Sequence, residues 1–168
     1  MEKVTIILSD GRQIRLGLNR DAAPVTVENF IELCKDGFYK GLIFHRVIPN
    51  FMIQGGGYAM ADGELSEKKA ARPIKGEFAS NKCDNPIKHV PGTVSMARTM
   101  DKDSASSQFF ICVAECAYLD GEYAAFGQTL DQESLAVVVD ISKVKTGRWM
   151  SFDDVPAEPV VIKDIIVG

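Results

Sequence analysis

Short apolar runs separated by turn residues dominate this sequence and constrain its fold more than any other feature. Runs rich in Phe, Ile and Val predict strands over residues 4–9, 12–18, 42–48, 51–54, 92–96, 108–112 and 160–167. Apolar residues with helical spacing are confined to 24–35 and 132–145. Because strands and helices do not alternate along the chain, a doubly wound parallel sheet is disfavoured. A β-barrel or a β-sandwich with two helical caps is predicted instead.

Local chemistry sets the limits of the two helical segments. Pro24 suits a first helical turn, and Gly37 favours the left-handed backbone that ends a helix. For the second segment, Thr146 and Gly147 predict the stop. The β-branched run 137–139 also fits a strand, but its polar flanks favour the helix.

The stretch 55–91 is predicted to be one long loop. It begins with three glycines, contains prolines at 73, 86 and 91, and shows no strong apolar periodicity. The glycines lack the Gly-Lys-Ser/Thr continuation of a phosphate-binding loop, so they indicate a tight backbone turn.

Charge and hydropathy exclude several classes of partner. The 168 residues carry 19 Lys and Arg against 23 Asp and Glu, a net charge of −4 that disfavours nucleic acid as a partner. The first apolar run stops at Ser9-Asp10, and no later run approaches the ~18 apolar residues of a membrane span. We therefore expect one domain over 1–168, located in the cytoplasm and without a membrane partner.

Cysteine and histidine usage weighs against metal and disulfide chemistry. The four cysteines, Cys34, Cys83, Cys112 and Cys116, form no C-x-x-C pair, and the only histidines, His45 and His89, lie far apart. We expect reduced, structural cysteines and no metal or cofactor. The C-x-x-x-C spacing of Cys112 and Cys116 leaves a redox role as an alternative, with packing expected for the first and a loop position for the second.

Three stretches combine aromatic, apolar and a few polar side chains. They are FHRVIPNFMIQGG at 44–56, SMAR at 95–98 with SQFFIC at 107–112, and LDGEYAAFG at 119–127. Within a strand over 44–48, Phe44 and Arg46 would share one face, and after the Pro49-Asn50 bend Met52 and Gln54 would also lie on the same face as each other. Read without further information, these residues also fit a packed barrel strand pair with Arg46 in solvent.

Together these stretches resemble the cyclophilins, a family of peptidyl-prolyl cis-trans isomerases, and in particular its compact bacterial-type members. The resemblance covers residues 3–167. It implies a mainly β fold, an eight-stranded antiparallel β-barrel capped by two α-helices, with a proline-binding groove on its outer face. It further implies a monomeric catalyst without a cofactor, whose partners are proline-containing peptides and unfolded or folding proteins.

The same resemblance assigns the groove residues. Arg46 matches the essential arginine, and Gln54 is expected to hold its guanidinium. The other matches are the proline-pocket walls Phe51, Met52, Phe110 and Leu119, the flanking residue His45, and Ala97, Arg98 and Gln108 along the substrate backbone and the residue before proline. No Ser, Cys or carboxylate partner is implied for His45, so a positioning or packing role is favoured over a general base.

Three positions that are expected to bind substrate, Arg98, Tyr118 and Tyr123, depart from the family pattern. Tyr118 stands where many eukaryotic members carry the tryptophan that donates to cyclosporin, so only weak cyclosporin binding is expected. Tyr123 replaces a histidine of many members, and Arg98 an asparagine. Arg98 either adds positive charge that favours acidic neighbours of the target proline or is a solvated side chain.

Two other functions stay open on the sequence. A proline-peptide binding module or holdase-like scaffold would need only the apolar pocket, so Arg46 and Gln54 favour the enzyme. A barrel without a groove function would require all three stretches to arise by chance.

Overall fold

A curled antiparallel sheet forms the body of the molecule, which we describe from a computed structural model for residues 1–70 and 72–168. The strands are β1 (Glu2–Leu8), β2 (Gln13–Leu18), β3 (Arg46–Ile48), β4 (Met52–Gly55), β5 (Tyr58–Ala61), β6 (Glu64–Glu67), β7 (Thr93–Met96), β8 (Phe109–Cys112), β9 (Ala125–Thr129), β10 (Thr146–Trp149), β11 (Phe152–Pro156) and β12 (Ile162–Val167). Eight of them pair in the order β12-β1-β2-β9-β7-β8-β4-β3, while β5–β6 and β10–β11 form separate hairpins. Next to the edge strands β3 and β12, an isolated antiparallel β-bridge pairs Ile43 with Val161. The predicted eight-stranded antiparallel fold is confirmed.

Two helices, α1 (Pro24–Lys35) and α2 (Gln132–Ser142), accompany the sheet. At the start of α1 the preceding alanine offers no side-chain cap, and the buried carboxylate of Glu77 takes that role. It accepts hydrogen bonds from the backbone N–H and the hydroxyl of Thr26, both at 2.7 Å. Asp131 caps α2 by accepting from the Ser134 N–H. At the N-terminus of each helix, a carboxylate therefore accepts hydrogen bonds from N–H groups that the helix itself leaves unpaired.

The interior of the curled sheet is an apolar core under α1. Side chains of β1 and β2 alternate between buried and partly exposed, as expected for strands with one face on a core. Five aromatic rings meet there with centroid separations of 5.1 to 5.9 Å, namely Phe30, Tyr39, Phe44, Phe109 and Phe126. This cluster explains why α1 covers this part of the sheet.

Strands β4 and β8 differ from β1 and β2 because they contribute apolar side chains to both faces of the sheet. Ile53 and Phe109 belong to the interior core, whereas Met52, Phe110 and Cys112 belong to a second apolar cluster. Since successive side chains of a strand point to opposite faces, the second cluster lies on the outside of the sheet. An outer face of this kind is where a ligand groove can form.

The prediction of a strand over 42–48 is wrong in its first half. Only Arg46–Ile48 is a strand, and the chain before it pairs with the segment leading into β12 through hydrogen bonds such as Phe44 N–H to the Val160 carbonyl at 3.0 Å. Phe44 therefore lies in the core while Arg46 lines the outer surface, so these two side chains do not share a face.

Other boundaries also differ from the sequence expectations. The predicted loop 55–91 contains the β5–β6 hairpin and a 3-10 turn at Ala79–Asn81, and its residue 71 lies outside the described residues. Residues 137–139 are helical as favoured, but α2 ends at Ser142, and Thr146-Gly147 begins β10 instead of serving as the stop. Strand β9 was not predicted. In the two described segments, no helix has the length and apolar character needed to cross a membrane.

Candidate active site

A groove of about 540 Å³ lies over the outer face of β3, β4 and β8. All but one of the groove residues expected from the resemblance line it, namely His45, Arg46, Phe51, Met52, Gln54, Ala97, Arg98, Gln108, Phe110, Leu119 and Tyr123. The exception is Tyr118. Residues from three distant segments are thus brought to one surface, as the combined motifs predicted.

The floor of the groove is an apolar pocket. Met52, Phe110 and Leu119 are at most 8% exposed, and Phe51 and Tyr123 pack against them as partly buried walls. The Phe110 and Tyr123 rings meet edge to face, with centroids 5.7 Å apart. A pocket of this composition suits a compact aliphatic ring such as that of proline.

A row of polar side chains crosses the groove beside this pocket. Arg46 and Gln54 are directly opposite each other on β3 and β4, and the Arg46 Nη1 donates to Gln54 Oε1 at 3.3 Å. Gln54 Nε2 in turn donates to Gln108 Oε1 at 3.0 Å. Gly57 permits this arrangement, because a Cβ there would lie within 2.6 Å of the Gln108 side chain. The hydrogen bond to Gln54 restrains the Arg46 guanidinium, and the role of Gln54 in holding it for catalysis stays a prediction.

His45 lines the groove next to Arg46 but is only 4% exposed. Burial and the charge of Arg46 lower its pKa from 6.5 to about 4, so the ring is neutral at pH 7. Its Nδ1 is buried and, within the described residues, has no hydrogen-bond partner. The ring packs on Tyr58 at a centroid distance of 4.6 Å. These contacts agree with a packing or positioning role.

Arg98 lines the groove as a half-buried, hydrogen-bonded side chain and is not simply solvated. Its Nε and Nη2 donate to the Glu122 carbonyl at 3.2 and 2.7 Å, and its Nη1 donates to the Thr99 carbonyl at 2.9 Å. The guanidinium also lies 4.9 Å from the Phe78 ring centroid and 4.6 Å from that of Tyr123. The Arg98 charge therefore lies at the groove and packs on the Tyr123 wall, and a preference for acidic neighbours of the target proline stays a prediction.

Tyr118 lies outside the groove lining. It is 68% exposed, and its ring lies beside that of Phe51, with centroids 6.1 Å apart. Tyr118 thus borders the groove beyond Phe51, and its contact with a ligand stays a prediction.

A buried hydrogen-bonded trio lies behind the pocket. His89 Nδ1 is 2.9 Å from Asp120 Oδ1, and His89 Nε2 is 2.9 Å from Ser95 Oγ. Burial lowers the pKa of His89, although Asp120 opposes the shift. Ser95 is fully buried, so this Ser-His-Asp arrangement cannot meet a substrate. The His89 ring instead stacks on Phe110, with centroids 6.0 Å apart and planes at 16°, and supports that wall of the pocket.

Several lining residues were missed on the sequence. Tyr58 lines the groove from β5, and residues 151–154 line it from the β10–β11 hairpin. The local signal was an aromatic residue on either side of the Met150-Ser151 turn, which is typical of a hairpin. The packing of that hairpin beside β3 is a long-range contact that no local pattern reports.

The cysteines are free thiols, and Cys112 and Cys116 both pack under the pocket. Burial raises the pKa of Cys112, which disfavours the reactive thiolate. Cys116 follows β8 in a loop as expected, but it is only 2% exposed. Within 1–70 and 72–168, no three His, Cys, Asp or Glu side chains are placed to hold a metal ion.

Comparison with known proteins agrees with this architecture. The family model described as "Cyclophilin type peptidyl-prolyl cis-trans isomerase/CLD" matches residues 3–167. Peptidyl-prolyl cis-trans isomerase A of Dickeya dadantii is 42% identical over 163 residues, covering 94% of this chain and 80% of that protein. Peptidyl-prolyl cis-trans isomerase B of Escherichia coli is 41% identical over 156 residues, covering 88% of this chain and 89% of that protein.

Solved structures show the same similarity. A cyclophilin-type isomerase of Cryptosporidium parvum, crystallised in the presence of the dipeptide Ala-Pro, superposes with a TM-score of 0.77 at 29% identity, covering 99% of this chain and 98% of that one. The similarity therefore covers nearly the whole chain, both in sequence and in fold. The chain belongs to the cyclophilin-type peptidyl-prolyl cis-trans isomerase family.

Proposed function

We propose that the groove catalyses rotation about X-Pro peptide bonds in polypeptides, with Arg46 as the catalytic residue. One observation carries this proposal: a guanidinium fixed by Gln54 at the edge of an apolar, proline-sized pocket. The relative crystallised in the presence of Ala-Pro supports proline-containing peptides as the substrate class.

The chemistry of the reaction matches what this groove offers. Amide resonance gives an X-Pro bond a rotation barrier of ~18–20 kcal/mol, and the twisted amide has a pyramidal nitrogen with a free lone pair. A donor that meets this lone pair only in the twisted state lowers the barrier, because it binds the transition state better than either planar isomer. Arg46 supplies such a donor, since a guanidinium is always charged and presents its N–H groups in one plane.

The free energies involved are within reach of this arrangement. An acceleration of about 10⁴-fold requires about 5.5 kcal/mol at ~1.36 kcal/mol per tenfold. One or two charge-assisted hydrogen bonds, each worth ~1.5–3 kcal/mol, supply much of that. Retention of the proline ring by the pocket allows the preceding acyl group to turn against a fixed partner.

We assign the remaining residues by their position in the groove. Phe51, Met52, Phe110 and Leu119 grip the proline ring, and Tyr123 closes the pocket. Ala97, Gln108 and the anchored Arg98 border the side on which the residue before proline lies. Tyr118, exposed beyond Phe51, is in a poor position to donate to cyclosporin, so weak affinity for that drug is expected.

NMR exchange spectroscopy on a short Ala-Pro peptide tests the proposal without a coupling protease. Catalytic amounts of protein are expected to produce cis/trans exchange cross-peaks that are absent with peptide alone. A parallel titration measures peptide affinity. Saturable binding without exchange would reject the enzyme and support the binding module or holdase-like scaffold.

A further inference from the structure

Part of the groove carries chemistry that proline binding does not use. Where β5 and β11 border it, the rings of His45, Tyr58 and Phe152 form a cluster that faces the groove. The centroid distances are 4.6 Å from His45 to Tyr58 and 5.1 Å from Tyr58 to Phe152, and the His45 and Phe152 planes are perpendicular at 6.3 Å. Tyr58 and Phe152 are only half-buried, so their surfaces remain available to a ligand.

Two carboxylates follow Phe152 along the same wall. Side chains alternate between the two faces of a regular strand, whereas four consecutive residues, 151–154, contribute to the groove lining here. Strand β11 contains a β-bulge at this point. Trp149 pairs with Phe152 and Gly147 pairs with Val155, so β11 has one more residue than β10 between these two pairs. Asp154 takes a left-handed backbone conformation there, with φ of 61°. Bulges redirect side chains in this way beside functional sites.

The charges of these two carboxylates are largely uncompensated. Asp153 is 3.7 Å from Arg148, but both side chains are more than 70% exposed, so that pair is weak. Asp154 has no basic group within 4 Å among the described residues. Arg98 forms no ion pair with either carboxylate among the described residues, since its guanidinium donates to the Glu122 and Thr99 carbonyls. Arg46 also lines the groove, and among the described residues it is not within 4 Å of either carboxylate.

His45 adds a buried polar group without a partner. The neutral ring does not repel a cation, and its Nδ1 lacks a hydrogen-bond donor or acceptor among the described residues. Burial and the neighbouring Glu67 raise the pKa of Tyr58, so its phenol also stays neutral. Aromatic faces, carboxylates and a neutral imidazole together form a surface that favours a positively charged ligand.

We propose that Tyr58, Phe152, Asp153 and Asp154, grouped around His45, form a subsite for a lysine or arginine side chain beside the target proline. The aromatic faces attract the cation and cover its aliphatic stem, and the carboxylates attract its charge. The proposal rests on the proposed function and adds substrate specificity to it. Because the residue before proline is assigned to the Ala97 side, this subsite takes the residue that follows proline.

Matched peptides test this specificity. The probes are capped Ala-Ala-Pro-Lys-Ala, the same peptide with neutral norleucine in place of Lys, and Ala-Lys-Pro-Ala-Ala with the charge before proline. We expect kcat/KM for the Lys peptide to exceed that for the norleucine peptide by about five- to tenfold, from cation–π and partly exposed ion-pair interactions. Higher salt is expected to reduce this ratio, since it screens exposed charges.

Two double variants separate the subsite from overall charge. Asp153→Asn with Asp154→Asn removes both carboxylates, and asparagine also tolerates a left-handed backbone. Glu32→Gln with Glu158→Gln removes the same two negative charges at exposed positions outside the groove. The Lys-to-norleucine ratio is expected to fall to about one in the first variant and to be retained in the second.

The outcomes for the inference and for the proposed function are distinct. Two results would overturn the subsite while supporting the isomerase activity. In the first, every peptide is turned over and kcat/KM is equal for the Lys and norleucine peptides. In the second, Lys is preferred only when it precedes proline. If no peptide exchanges, the proposed function fails, and the ratio of dissociation constants for the same peptides then decides the subsite. Equal loss of the ratio in both double variants would assign it to net charge and overturn the inference.

Discussion

Replacement of His89 by phenylalanine tests whether the buried trio behind the pocket supports the fold. Phenylalanine keeps an aromatic ring against Phe110 but makes neither of the two 2.9 Å contacts of the imidazole. The Ser95 hydroxyl would then be left in a fully buried site without a partner. Asp120 would still accept from the His89 backbone N–H, and its side chain is 20% exposed and can bind water.

These contacts set the expected cost. A buried hydroxyl without its hydrogen bond costs about 1–3 kcal/mol, and loss of a hydrogen bond to a charged carboxylate adds about 1.5–3 kcal/mol, less where water can replace it. We therefore expect His89→Phe to lower the free energy of unfolding by about 2–5 kcal/mol. A domain with the usual 5–15 kcal/mol of stability would remain folded in most of that range.

Urea denaturation followed by circular dichroism gives this free energy. Ser95→Ala and the double variant complete a thermodynamic cycle. We expect the double variant to be less destabilised than the sum of the two single variants, because alanine removes the stranded hydroxyl. A loss below about 1 kcal/mol for His89→Phe, or strict additivity in the cycle, would refute the account of this trio.

Three further predictions follow from single contacts. Glu77→Ala is expected to lower the free energy of unfolding by about 1–3 kcal/mol, because it leaves the buried Thr26 N–H and hydroxyl without an acceptor; an unchanged urea midpoint would contradict this. The fold holds the pKa of His45 at about 4, below its usual 6.5, so the neutral ring contributes fully above pH 6.5. That contribution, up to about 3 kcal/mol, is lost as the pH falls towards 4. Urea denaturation between pH 7 and pH 4 should therefore show a shallower decline in the free energy of unfolding for His45→Gln than for the wild type. Gln54→Leu is expected to lower kcat about tenfold with little change in peptide affinity, because it frees the Arg46 guanidinium. A loss of peptide affinity of about tenfold with an unchanged kcat would instead indicate that Gln54 acts in binding.

The parts of this fold that sequence predicted well are those specified locally. Helix α1 has the predicted limits because Pro24 and Gly37 mark its two ends and the residues between them have helical spacing. The apolar pocket was also predicted, because its walls lie within short motifs whose order matches a known family. Alternation along β4 correctly placed Met52 and Gln54 on one face.

The features that were missed depend on contacts between distant segments. The β10–β11 hairpin has short, mostly exposed strands without apolar alternation, and only its packing against β3 brings Phe152 into the groove. Phe44 and Arg46 were placed on one face because strand geometry was assumed where the chain crosses towards β12. The trio of His89, Ser95 and Asp120 joins residues as far as 31 positions apart, which spacing alone does not reveal.

The central claim is that a fixed guanidinium lowers the barrier to rotation about X-Pro bonds. Its most direct test is exchange spectroscopy on an Ala-Pro peptide with wild type, Arg46→Ala and the control Arg12→Ala, a partly exposed arginine outside the groove. All three are first shown to be folded by circular dichroism. We expect Arg46→Ala to lose most of the exchange rate while Arg12→Ala keeps it. A near-wild-type exchange rate in folded Arg46→Ala would contradict the account.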